Sequence, residues 1–81
     1  MSAMDRVTLE ERVRDAEAGV VWARERTARQ RALIQTLEQR GDDAATERQD
    51  LQALEAQEQA DIAELERLTI ELDAFDKRSG I

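Results

Sequence analysis

These 81 residues predict an all-α chain, an antiparallel two-helix hairpin of coiled-coil type that dimerises into a four-helix bundle. Three observations carry that expectation. The composition, 38% charged and 41% hydrophobic with 2% aromatic residues, three glycines and no proline, is that of long helices. Small and apolar residues recur in two heptad seams of near-equal length. Between the seams, in the stretch LEQRGDDAATE, stands the one glycine followed by two acidic residues, the place where so helical a sequence has reason to stop.

The first helix is expected over about 8–40. Thr8 followed three residues later by Glu11 reads as a capping box at its start. Leu9, Val13, Ala16, Val20, Ala23, Thr27, Gln30, Ile34 and Leu37 then alternate four-residue and three-residue steps, which keeps them on one stripe of the helix. Gly41 suits the left-handed position just past a helix end, where a β-carbon is penalised. The turn is expected over about 41–43.

The second helix is expected over about 43–78, ending near Arg78, before Ser79 and Gly80. Asp42 or Asp43 is placed to accept from its free N–H groups, with Thr46 and Gln49 as an alternative capping box. Its seam runs Ala44, Glu47, Leu51, Leu54, Glu58, Asp61, Leu65, Leu68, Leu72 and Phe75. In an antiparallel pair that turns near residue 42, facing residues have numbers adding to about 84. Glu38 with Arg48, Arg31 with Glu55, and Arg12 with Glu71 meet that condition with opposite charge, whereas Glu10 facing Asp76 does not. The alternative, one uninterrupted helix of about 70 residues, must carry glycine in a helix interior at roughly 1 kcal/mol.

A single hairpin domain over 1–81, about 50 Å long at 1.5 Å per residue, has one narrow seam and little core. Oligomerisation is the usual supplement at this size. Ala53, Ala56, Ala60, Ala63, Arg67, Ile70 and Ala74 form a second stripe on the outer face of helix 2, and Ala18, Val21, Ala28 and Ala32 a weaker one on helix 1. Small residues let helices approach closely. The competing reading is a solvated face built of the best helix former.

The composition also narrows the function. Without cysteine or histidine the chain lacks a thiol nucleophile, the commonest general base and the commonest metal ligand. Ser2, Ser79 and Lys77 have no base beside them, so a non-enzymatic protein needing no cofactor is expected. The N-terminus has neither the apolar run of a signal peptide nor a membrane span, which favours a soluble, cytoplasmic protein with no membrane partner. A net charge of −7 works against non-specific binding to nucleic acid. Residues 1–40 hold 8 basic and 7 acidic side chains and residues 41–81 hold 4 and 12, so the halves attract.

Three groups of residues are candidates for function. Glu58 and Asp61 occupy seam positions where leucine is expected. They read as a polar layer paired with Arg24 or Arg26 that fixes register or oligomer state, or else the register shifts locally to use Ile62. A metal site would need more ligands, and the Glu-x-x-His pattern, than the chain offers. Arg24, Arg26, Arg29 and Arg31 cluster in RERTARQR, either paired within the chain (Arg31 with Glu55, Arg26 with Glu58) or forming a patch for an acidic partner or a phosphate. Trp22 falls on the outer flank beside Arg26 and Arg29 and near Gly19. It is an interface residue on either reading, buried in a homodimer or a hot spot for another protein. Together with Ala56, Ala60, Ala63 and Ile70, these are the interface candidates.

The run RQRALIQTLEQRGDD followed by LQALEAQ resembles small helical-hairpin proteins of alphaproteobacteria, over roughly residues 24–72. That group has no assigned activity, so the resemblance implies fold and bacterial origin alone. In shape the expected hairpin is similar to the plasmid regulator Rop, which dimerises into a four-helix bundle and binds RNA, although the acidic second helix lacks a basic, aromatic-bearing RNA face. The leading expectation is a small regulator or adaptor acting as a homo-oligomer, a dimer by preference, through a helical face. The alternative is a nucleic-acid-related regulator, binding RNA or DNA through the arginine patch or mimicking nucleic acid with helix 2.

Overall fold

A computed structural model describes residues 5–78, which form two α-helices, α1 (Arg6–Gln39) and α2 (Ala45–Arg78), of 34 residues each. They pack along their whole length as a hairpin measuring 60 × 18 × 16 Å. Ser2, Ser79 and Gly80 lie outside the described residues.

The α1 start differs from the expected capping box. Asp5, in extended backbone, is the N-cap, and its carboxylate accepts from the Thr8 N–H at 2.8 Å. That bond lowers the Asp5 pKa, because the ionised carboxylate accepts from the backbone better than the acid does. The Asp5 cap adds two residues at the N-terminal end of α1 and leaves Leu9 fully within it, where it is buried.

At the other end of α1 the Gly41 N–H donates to the Glu38 carbonyl at 3.1 Å and the Asp42 N–H to the Leu37 carbonyl at 2.9 Å. This pair of bonds closes the last turn and requires a left-handed residue between them. Gly41 supplies it with φ +74°, and among the described residues no non-glycine residue has positive φ. A β-carbon at Gly41 meets no neighbour within 4 Å, so the cost of replacement is backbone strain alone. Gly41→Val should therefore destabilise the hairpin by about 1 kcal/mol. An unchanged urea midpoint would show that the turn is not held this way. Asp43 opens α2, its carboxylate accepting from the Ala45 N–H at 3.0 Å while the Ala44 carbonyl accepts from Arg48. Lys77 and Arg78 complement the C-terminal end of the α2 dipole.

The two expected seams meet. Leu9, Val20, Ala23, Thr27 and Ile34 of α1, Leu68 of α2 and Ala44 before it are buried, and the other seam positions are half-buried. Two polar seam positions, Thr27 and Gln30, are satisfied by backbone carbonyls. Thr27, fully buried, donates its hydroxyl back to the Ala23 carbonyl at 2.9 Å, and Gln30 crosses to the Glu47 carbonyl at 3.0 Å. No described helix is long and apolar enough to cross a membrane.

Two of the three expected charge pairs form, Arg31 with Glu55 at 2.9 Å and Arg48 with Glu38. The third does not. Arg67, one turn from Glu71 on the same helix, takes Glu71 at 2.6 Å and Glu64 at 2.7 Å, and among the described residues Arg12 forms no ion pair. Residues three or four apart on one helix are already held as neighbours by the backbone, so these pairs need no agreement between two helices. The apparent conflict of Glu10 with Asp76 is resolved by Arg6, which reaches Asp76 at 2.6 Å and Glu10 at 3.0 Å.

The Arg6 hydrogen bond holds the Asp76 carboxyl below its ordinary pKa. A group lowered on folding stabilises the fold above its unfolded pKa, and the contribution disappears as pH falls through the folded value. Acidification from neutrality to below about pH 4 should therefore loosen this end of the hairpin, and Asp76→Asn should flatten that part of the stability profile. Identical acid titrations by circular dichroism for the two proteins would contradict it.

Candidate functional site

A two-helix hairpin has two broad faces, one on each side of the plane through its helix axes. Successive residues of a helix are about 100° apart, so the residue before each seam position lies on one face and the residue after it on the other. Glu10, Arg31 and Glu38 follow seam residues on α1, and Arg48, Glu55 and Asp76 follow them on α2. The ion pairs that cross between the helices therefore share one face, closed by Arg6–Asp76, Arg31–Glu55 and Arg48–Glu38. We call it the clasped face.

The opposite face is open. Gly19, Trp22 and Arg26 of α1 precede seam residues, as do Ala53, Gln57 and Glu64 of α2. Two shallow grooves run along it. One, of about 480 Å³, is lined by Gly19, Trp22, Ala23, Arg26, Ala53, Leu54, Gln57 and Asp61. The other, of about 390 Å³, continues from Gly19 and Asp61 to Arg12, Asp15, Ala16, Glu64 and Leu68. Small side chains at residues 16, 19, 23 and 53 create them.

Trp22 stands at the rim of the first groove with 63% of its surface exposed, as the sequence expected of an outer flank. It is the chain's one tryptophan. Val21, Leu33 and Ile70 are other large apolar side chains left exposed. Ala53, Ala56, Ala60 and Ala63 are exposed as well, whereas Ala74 is half-buried.

The polar layer differs from its expected form. Glu58 and Asp61 are half-buried at the seam, and Ile62 beside them is half-buried too. Asp61 shares a groove with Arg26 but is held instead by Gln57, one turn before it, at 2.9 Å. Among the described residues Arg24, Arg26 and Arg29 form no ion pair, so of the RERTARQR cluster Arg31 alone is neutralised within the chain. The described residues include no group of three or more acidic side chains arranged to hold a metal ion. Lys77, considered above as a nucleophile, is paired with Asp73 at 3.1 Å.

What sequence reasoning missed is the difference between the faces. Facing position alone does not distinguish the two sides of the seam, and the preference of Arg67 for its own helix removes the one expected clasp, Arg12–Glu71, that belonged to the open face. No family of known proteins, no curated protein and no solved structure matches the chain.

Proposed function

We propose that the chain is a non-enzymatic helical interaction protein, a small bacterial regulator or adaptor that works as a homodimer by presenting a helical face. The observation that carries this reading is Trp22, a large aromatic side chain left mostly in water on the unclasped face of a hairpin with only one thin seam. Tryptophan is costly to leave exposed and is enriched where interfaces concentrate their binding energy. A chain of this length with so few buried side chains also gains most from a second buried surface. The kinship with alphaproteobacterial hairpin proteins and a cytoplasmic location belong to the same proposal.

Tryptophan emission tests it. In a homodimer the Trp22 emission should be blue-shifted at high protein concentration and move to the red on dilution, and Trp22→Ala should give monomers. Emission typical of exposed indole at every concentration, with assembly unaffected by Trp22→Ala, would transfer Trp22 to the surface for a different protein.

The unpaired Arg24, Arg26 and Arg29 favour a second reading, a regulator that engages nucleic acid through this patch. It requires binding that weakens steeply with salt and is lost when the three arginines are neutralised. The net charge of −7 weighs against it.

A further inference from the structure

Resting on the homodimer reading, we propose that the second copy docks on the open face with the two-fold axis parallel to the hairpin, so that α1 of each chain lies on α2 of the other and both turns point to the same end. Charge decides the pairing of helices. On the open face α1 carries Arg12, Arg26 and Arg29 against Asp15, while α2 carries Asp50, Glu64 and Glu71 against Arg67, with Asp61 beside them. Packing α1 on α1 and α2 on α2 would set arginines near arginines and carboxylates near carboxylates. Packing α1 on α2 sets opposite charges together at both contacts. Among the described residues Arg29 and Asp50 form no ion pair, and Arg12 forms none although its charge acts on Glu64.

An axis parallel to the hairpin also preserves level, and the levels agree. The open-face grooves place Trp22 beside Ala53 and Gln57, and Gly19 beside Asp61. A second copy turned about that axis brings its own Ala53, Ala56 and Ala60 to Trp22, a flat row on which an indole can lie. Two turns toward the connection, Arg29 reaches the level of Asp50 of the partner subunit. Toward the other end Arg12 reaches the level of Arg67 of the partner subunit, whose flanking acids Glu64 and Glu71 lie one turn to either side.

Gly19 supplies an independent reason. It lies within α1, where glycine is less favourable than alanine, yet a β-carbon there would meet nothing within 4 Å inside the chain. The single chain therefore has no packing need for glycine at this position. Close approach of a helix from outside would provide one. The broad face, 60 Å by 18 Å, also offers on the order of the ~800 Å² per partner that a stable interface buries.

Because the chain has no cysteine, a spin label at Asp42→Cys reports the distance between the two turns in the full-length protein without other changes. The proposed dimer places the turns roughly 10 Å apart, about one helix spacing. The arrangement with turns at opposite ends separates them by nearly the 60 Å length of the hairpin. Gly19→Leu should keep the circular dichroism of a folded hairpin while weakening dimerisation by at least about 30-fold, and Arg29→Asp should weaken it by about 10-fold. Adding Asp50→Arg to Arg29→Asp should restore the affinity. A dimer with the long distance, or one indifferent to Gly19→Leu and to the charge exchange, overturns this interface while leaving the homodimer reading intact. Absence of any dimer overturns both.

Discussion

Leu68→Ala is expected to destabilise the protein by about 3 kcal/mol, the common cost of truncating a buried leucine. Leu68 is 3% exposed and is the one residue of α2 that is fully buried among those described. Small residues lie near it across the seam, Ala16 and Gly19 among them, so the space left by the lost methyl groups has little nearby bulk to fill it. Because a core this thin supplies only a few kcal/mol in total, much of the Leu68→Ala protein should be unfolded at neutral pH without denaturant, whereas the parent stays folded. Val7→Ala, at an exposed position, should change stability by less than about 0.5 kcal/mol. Circular dichroism against urea compares the three proteins. Equal midpoints for Leu68→Ala and Val7→Ala would mean that the seam does not hold the helices together.

The joint change of Glu58→Leu and Asp61→Leu should act in the opposite direction, raising stability by about 2 kcal/mol, since each leucine becomes half-buried where a carboxylate now sits. Among the described residues neither acid has an ion pair whose loss would offset the gain, and Asp61 gives up one hydrogen bond, from Gln57. A uniformly apolar seam specifies the number of helices less well than one interrupted by polar residues. The same variant should therefore sediment with a broader range of assembly sizes. A variant that melts earlier than the parent with an unchanged stoichiometry would show that the two acids stabilise the fold, not its specificity.

The fold was legible because its causes are periodic and local. The seam from Leu9 to Leu37 and its counterpart from Ala44 to Phe75 needed only the heptad spacing, and every one of their positions is buried or half-buried. Gly41 needed only the rule that left-handed backbone selects glycine. Asp5 was missed because Thr8 and Glu11 also satisfy a capping pattern, and the choice between two adequate caps depends on one hydrogen bond, Thr8 N–H to Asp5, that spacing does not rank. The charge clasps were legible by facing position but not by competition. Arg67 stands one turn from two acids on its own helix and so displaces Arg12 as the partner of Glu71. The candidate site depends on that displacement. Trp22 was visible as an outer residue, whereas the openness of its face follows from where the ion pairs do not form.

The measurement that bears most directly on the central claim is sedimentation of the unlabelled, unmodified protein across a wide dilution series. The account predicts a species of twice the 9.2 kDa chain mass at high concentration, dissociating reversibly to the single chain on dilution. A 9.2 kDa monomer that persists to millimolar concentration with its helices intact would contradict it.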